Sequence, residues 1–246
     1  MAISCFLTYW GEAQDTDAVF EAYFAGPASF LAEAPEALSV ELYAPASAAD
    51  PMLGGDVPPL LVAQLRFATL ATAERALASA AVSRALDEFQ DIPVSNWHAD
   101  IELMQGRVHP EAGESTGDTT TVPVTYLVEY CRPAEDETAF IDYYRANHPP
   151  IMAELPNIRR LEIYTPVDWS NPLALERADH MLMCDCSFDD VDALTAALHS
   201  DVRHRLREDY VTFPPFTGRV GHHPMRRVRI KPSTPRVRRS GRASPP

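Results

Sequence analysis

The sequence predicts an α+β protein made of two consecutive β-α-β-β-α-β units. Two observations lead to this fold class. The chain repeats itself at a spacing of 121 residues, and each repeat has the same order of strand-like and helix-like segments. A fixed internal period is the usual sign of a repeated structural unit. With 246 residues, the chain is long enough for two units that each bury a core.

The repeat is clearest where residue types that are rare by chance stay in step. Identical Pro, Tyr and Glu residues recur 121 positions apart, and apolar positions agree between them. A gapless register of this kind indicates a duplication of one ancestral unit. The pairs that define the register are Tyr9/Tyr130, Tyr23/Tyr144, Glu33/Glu154, Pro35/Pro156, Glu41/Glu162 and Tyr43/Tyr164.

Segments rich in β-branched and aromatic residues predict the strands, and apolar residues at helical spacing predict the helices. A proline ends each first helix, because proline disfavours a helical residue before it. The long second helices contain possible breaks near Ser79 and Ser200. The predicted strands are 3–10, 38–44, 60–67, 94–104, 124–131, 158–165, 181–188 and 216–225, and the predicted helices are 15–24, 71–89, 135–147 and 191–210.

This order is the split βαβ arrangement of ferredoxin-like domains. A four-stranded sheet with helices on one face must bury its other face. Two tandem ferredoxin-like units can do so by packing sheet to sheet as an intramolecular α+β barrel. The expected boundaries are 1–106 for the first unit, 107–122 for a linker, 123–225 for the second unit and 226–246 for a basic tail.

Charge is unevenly distributed along the chain. All 35 acidic residues precede residue 225, whereas eight of the 21 basic residues lie between Arg226 and Arg242. The acidic body argues against a nucleic-acid-binding face. The tail is predicted to be a solvated, mostly disordered extension, or a tether for an anionic partner. Without a leader or an apolar run long enough to span a bilayer, the chain is expected to be cytoplasmic.

The segment from Phe140 to Tyr164 resembles the EthD family of dimeric α+β barrel proteins. Members carry a Tyr, then His-x-Pro four residues later, then Leu-Pro-Gly and an Arg-containing strand. Here Asn157 replaces the glycine and can adopt the same left-handed turn. The resemblance implies a small-molecule pocket between helices and sheet or inside the barrel. The matching residues are Tyr144, His148-Pro149-Pro150, Leu155-Pro156-Asn157 and Arg159-Arg160.

His148 is the first candidate for catalysis, with Tyr144 and Arg160 beside it. A histidine can exchange a proton near neutral pH, while Tyr and Arg can stabilise an anion. The first unit has Pro27 and Ser39 in place of His148 and Arg160, so it lacks this set. The alternative is a helix-end histidine that only caps carbonyl groups.

Alternation along the second and third strands of the second unit places further polar residues on the face opposite the apolar ones. They are expected to point into the barrel and to bind substrate, or else to form a polar seam between the sheets. His180 could reach a pocket mouth or lie in a loop. The predicted substrate-binding residues are Glu162, Tyr164, Asp185, Tyr126 and His180.

No metal site is expected. His222 and His223 are adjacent on a strand and point to opposite faces, and Cys184 and Cys186 look like small core residues. Three functions stay open. The first is a cofactor-independent cyclase, dehydratase, decarboxylase or isomerase acting on a small aromatic or polyketide-like substrate. The second is an oxidoreductase, with haem as a less favoured cofactor. The third is a non-catalytic ligand carrier attached through its tail, and a further homodimer stays possible.

Overall fold

The computed structural model describes residues 2–48, 50–52, 57–110 and 123–230. Most of the predicted linker and residues 231–246 of the predicted tail lie outside the described residues. The strands are β1 (Ala2–Glu12), β2 (Ser39–Pro45), β3 (Leu61–Phe67), β4 (Ser95–Val108), β5 (Val124–Cys131), β6 (Arg160–Pro166), β7 (Glu176–Arg177), β8 (His180–Phe188) and β9 (Val220–Ile230). The helices are α1 (Thr16–Ala25), α2 (Pro27–Leu31), α3 (Leu70–Leu77), α4 (Ala80–Phe89), α5 (Glu137–Met152), α6 (Val191–Leu198) and α7 (Asp201–Tyr210).

Eight of these strands close into an antiparallel barrel. The order around it is β1-β3-β2-β9-β5-β8-β6-β4, and β4 pairs again with β1. The two long strands join the halves: β4 leaves β1 to pair with β6, and β9 leaves β5 to pair with β2. Closure matters because an open sheet would leave unpaired backbone groups at its edges. The two-residue strand β7 adds to β4 in parallel.

The closing role of β9 corrects the expected start of the tail. Residues 226–230 continue the strand and pair with residues 40–44 of β2. On one face, Arg227 and Arg229 contact the buried carboxylate of Glu41. On the other, Val228 and Ile230 pack against the core of the first half. Basic residues that look solvated in sequence are therefore part of the barrel wall up to Ile230.

The helices cover the outside of the barrel and form two apolar cores, one against each half of the sheet. A third apolar cluster lies inside the barrel. Its members are buried and come from both halves, so closely packed side chains occupy the middle of the interior. They are Phe6, Tyr43, Val62, Met104, Leu127, Tyr164, Met183 and Met225.

The first helix differs between the halves. In the first half it breaks at Gly26 into α1 and α2, whereas α5 runs unbroken through Pro149 and Pro150 to Met152. The predicted stop before Pro149 is therefore wrong. Proline keeps a helical φ, so the helix can continue, but without an N–H the two prolines leave the carbonyls of Arg145 and Ala146 without their usual helical bonds. The continued helix buries His148 instead of leaving it in a loop.

Among the described residues, no helix is both long enough and apolar enough to cross a membrane.

Candidate functional site

A cavity of about 390 Å³ lies in the second half, between the sheet and helices α5 and α7. It is on the outer face of the sheet, opposite the packed barrel interior. The cavity and the packed interior lie on opposite faces of the sheet, because successive side chains of β5 alternate between the two faces. Most of the lining is aromatic or aliphatic, with a few polar groups among it. The lining residues are Tyr126, Val128, Tyr130, Tyr144, His148, Met152, Leu155, Cys184, Cys186, Leu198, Arg203, Leu206, Arg207, Tyr210, Val220 and His222.

His148 lies on the last turns of α5 and is 6% exposed. Its Nδ1 atom lies 2.7 Å from Oδ2 of Asp209, near the end of α7. A carboxylate accepts hydrogen bonds and cannot donate one, so Nδ1 carries the proton that joins the pair. In the neutral ring the lone pair is then on Nε2. The pair therefore presents an imidazole that is ready to accept a proton.

The surroundings of His148 keep the ring neutral at neutral pH. Burial lowers the pKa of His148 below its usual value, and Asp209 opposes this only in part. Arg203 adds to the lowering through its positive charge. Edge-on contacts with the aromatic ring of Phe213, whose centroid lies 5.1 Å away, fix the ring from the other side. A histidine in this state is a better general base than general acid.

Tyr144 packs against His148 but does not orient it by a hydrogen bond. Their ring centroids are 4.9 Å apart, and the Tyr144 hydroxyl contacts the sulfur of Met152 at 3.5 Å. Burial raises the pKa of Tyr144 well above its ordinary value, so the phenol stays protonated. The hydrogen bond that orients the His148 ring is accepted by Asp209.

A loop from the first half reaches the cavity wall. Asp50 accepts a hydrogen bond from the Tyr126 hydroxyl at 2.9 Å and forms an ion pair with Arg203 at 2.8 Å. The side chains of Asp50 and Arg203 are only 6% and 10% exposed. This contact fixes the phenol and the guanidinium at one wall of the cavity. It also makes the site dependent on both halves of the chain.

In the first half, the residues 121 positions before five of the polar lining groups are apolar. Val82, Phe89 and Ile101 are fully buried there, and Pro27 and Leu86 pack beside them. The charged and polar groups are thus confined to the half that has the cavity. The pairs 121 positions apart are His148 and Pro27, Arg203 and Val82, Arg207 and Leu86, Tyr210 and Phe89, and His222 and Ile101.

Arg160, Glu162, Tyr164 and Asp185 are not at this cavity. They lie on the inner face of the sheet, where Glu162 binds Arg66 at 2.8 Å and Arg160 at 2.5 Å. Tyr164 accepts a hydrogen bond from Gln64 at 3.1 Å, which links the two halves. Asp185 accepts from Ser187 at 2.9 Å and from Thr125. These contacts form a polar seam between the sheets, the alternative reading of the same residues, and leave none of the four beside His148.

His180 lies at one mouth of the barrel, away from His148. Its Nε2 is 3.0 Å from Oε2 of Glu129, and its residue is 2% exposed. Together with Cys131, these two residues form a buried group whose ligand atoms could hold a metal ion. His222 lines the cavity while His223 faces Glu129 in the barrel, so the two adjacent histidines point to opposite faces as expected.

Sequence reasoning missed Asp209, Arg203, Arg207 and Asp50. Of these four, Arg203 and Arg207 leave a signal in the sequence, because arginine stands where the first half has Val82 and Leu86. Asp209 has no such signal, because the first half also has a carboxylate there. Its role follows from the packing of α7 against α5, which brings residues 61 positions apart into contact.

Comparison with known proteins agrees with this architecture. Residues 132–214 match the family model described as EthD domain. No curated protein matches the sequence. A solved EthD family protein from Bacillus halodurans is 25% identical and covers 40% of this chain and 96% of its own, with a TM-score of 0.32.

Two other solved structures cover nearly the whole chain. An anthrone oxidase-like protein is 13% identical over 92% of this chain and 91% of its own, with a TM-score of 0.61. A proposed monooxygenase from Fusobacterium nucleatum is 8% identical over 92% and 91%, with a TM-score of 0.54. At these identities the likeness concerns the fold alone. The match over 132–214 includes both His148 and Asp209, and the second half of this chain therefore contains an EthD domain.

Proposed function

We propose that the protein is a cofactor-independent enzyme that removes a proton from a small, largely aromatic substrate bound in the cavity of its second half. The observation that carries the proposal is the buried His148–Asp209 pair at the wall of a cavity of about 390 Å³. Pockets that bind small molecules are typically apolar with a few well-placed polar groups.

In the proposed reaction, Nε2 of His148 takes a proton from an acidic carbon or hydroxyl of the substrate. Asp209 then stabilises the imidazolium that forms, because its carboxylate already accepts the Nδ1 proton. The anion left on the substrate is stabilised by the guanidinium groups of Arg203 and Arg207. Tyr126, whose phenol stays protonated because burial and Asp50 raise its pKa, donates its hydrogen bond to Asp50 and so shapes the cavity wall instead of binding the anion. Return of the proton at another atom completes an isomerisation or cyclisation.

The proposal gives the two duplicated halves of the chain different roles. We infer that both halves are ferredoxin-like units, since several elements recur at the 121-residue spacing. The recurrent pairs are β2 with β6, α3 with α6 and α4 with α7. Glu36 and Asn157, 121 residues apart, share left-handed φ values of 61° and 62°. The first half keeps an apolar core at the equivalent place and supplies Asp50 to the second.

An oxidative second step is the alternative function. A substrate carbanion produced by His148 could react with O₂, and the description of the fold neighbours as an anthrone oxidase-like protein and a proposed monooxygenase suggests this chemistry. Both functions share the first proton transfer. They differ in whether oxygen is consumed.

Proton exchange tests the shared step directly. The purified chain is incubated in D₂O with a panel of aromatic ketones and phenols that carry acidic C–H bonds, and exchange is followed by NMR. We expect exchange of at least one compound to be accelerated, and His148→Gln to reduce it by about 10²- to 10⁴-fold, the usual range for a general base. An oxygen electrode on the same samples separates isomerisation from oxidation.

His199→Gln is the matched control, because His199 is exposed and its ring contacts the Thr195 carbonyl of the preceding helix. It should leave exchange unchanged. Exchange that survives His148→Gln would refute the assignment of the base. Binding of the panel compounds in the cavity without any exchange would instead favour a non-catalytic carrier.

A further inference from the structure

The barrel interior opens at one end into a second hollow, separate from the His148 cavity. Its volume is about 400 Å³, and its wall includes Trp10, His98, Asp100, Asp179, His180 and Arg219. Glu129 and Cys131 of β5 lie beside His180, which is part of that wall. The proposed proton transfer uses none of these residues.

A β-bulge between β5 and β8 brings Cys131 and His180 to the same face of the sheet. The pairing of β5 with β8 shifts between Tyr130 and Cys131, so that Cys131 faces His180 instead of Met181. Bulges commonly re-aim one side chain of a strand. Without the shift, the His180 side chain would lie on the same face of the sheet as Leu182 and point to the helices. The bulge turns it into the barrel, where it is 2% exposed.

The ligand atoms of Glu129, Cys131 and His180 all lie within 4.8 Å of one another, and all three residues are buried. A carboxylate oxygen, a thiolate and an imidazole nitrogen form a mixed donor set that suits Zn²⁺ and similar divalent transition metals. We propose that these three residues form a divalent transition-metal site, with Zn²⁺ as the best match, whose remaining coordination positions face the hollow.

The surroundings of Glu129 have the features of an outer shell. Its Oε2 atom faces His180, while Oε1 accepts from Arg219 and lies 3.4 Å from Nε2 of His223. A metal at Oε2 would leave the contacts at Oε1 in place, and such contacts orient a ligating carboxylate. Arg219 is the main opposing charge. Its side chain is 53% exposed, so water can solvate it when a cation approaches.

Three buried polar atoms at this end of the barrel have unused hydrogen-bonding capacity. Nδ1 of His180, Nδ1 of His223 and Oδ1 of Asp100 are buried and have no hydrogen-bond partner among the residues that the structure describes. Buried polar atoms are nearly always paired, so three at one barrel mouth call for a further occupant. Binding would replace the thiol proton of Cys131 and the proton shared by His180 and Glu129, and both protons would pass to solvent. Affinity should therefore rise with pH.

Equilibrium dialysis of the full-length chain against Zn²⁺ tests the site. We expect one tightly bound ion per chain and a loss of at least about tenfold in affinity with either Cys131→Ser or His180→Gln. Cys5→Ser is the matched control, since Cys5 is equally buried but packs in the core of the first half. His148→Gln should also retain the ion, which separates this site from the proposed proton transfer.

Co²⁺ gives a second readout, whose main observation is made on the wild-type protein. Wild-type protein loaded with Co²⁺ should show a thiolate-to-cobalt charge-transfer absorption, and Cys131→Ser should lack it. The proposal is overturned if the wild type binds no stoichiometric Zn²⁺, if the bound Co²⁺ shows no thiolate band, or if both ligand variants bind as tightly as Cys5→Ser.

Discussion

Glu162→Gln tests whether the charged groups inside the barrel hold the fold together or bind substrate. The Glu162 side chain is 2% exposed and bridges Arg66, from the first half, to Arg160, from the second. Glutamine keeps the shape but removes the negative charge that both guanidinium groups need. The change therefore separates a structural role from the substrate-binding role that the sequence suggested.

The expected magnitude follows from burial. Removing one partner of a fully buried ion pair costs about 3–5 kcal/mol, because the remaining charge stays unpaired. Here the side chains of Arg66 and Arg160 are 18% and 30% exposed, so water recovers part of that cost. We expect a loss of about 2–3 kcal/mol in the free energy of unfolding. For a chain of this length, that loss corresponds to a fall of roughly 4–12 °C in Tm.

Urea denaturation followed by circular dichroism measures the change, and titration with an aromatic ligand of the His148 cavity measures binding. Glu154→Gln is the matched control, because Glu154 makes a similar two-pronged pair with Arg205 on the surface and should cost little. A destabilisation no larger than that of Glu154→Gln, or a loss of ligand affinity without a loss of stability, would contradict a structural role.

Further outcomes follow from the same structure. Because burial lowers the pKa of His148, the neutral base persists below pH 6.5, and activity should be lost only as pH falls through that lowered value. Asp209→Asn should reduce the plateau rate and move this acid limb to still lower pH; a limb above pH 6.5 in the wild type would count against His148 as the base. Gly218→Ala should lower stability by more than about 3 kcal/mol, since the new Cβ would lie 1.8 Å from the Cys131 carbonyl oxygen. Gly26→Ala meets nothing closer than 3.5 Å and should change stability by no more than about 1 kcal/mol, so equal losses for the two glycines in thermal melts would refute this contrast.

Local pattern was enough to predict most of the secondary structure. The breaks near Ser79 and Ser200 occur between α3 and α4 and between α6 and α7, because each serine begins a new helix. The left-handed turn expected at Asn157 is present, with φ of 62°. The resemblance to the EthD family could also be recognised from the sequence, because it depends on a contiguous run of residues around His148.

Tertiary contacts decided which of those residues share a site. Strand parity placed Arg160 and Glu162 on one face of the sheet, but only the path of β4 and β9 showed that this face is packed with side chains from both halves. The partner of His148 comes from α7, and the Asp50 contact comes from the other half of the chain.

The sequence by itself determined the order of the elements, the register of the repeat and the histidine that only the second half carries. Periodicity and residue type encode these locally. The three-dimensional structure decided that the cavity lies under the helices, that Asp209 holds the imidazole, and that a bulge turns His180 into the barrel mouth. Those outcomes depend on contacts between residues far apart in the chain, such as His148 and Asp209, which are 61 positions apart, and no local pattern specifies such contacts.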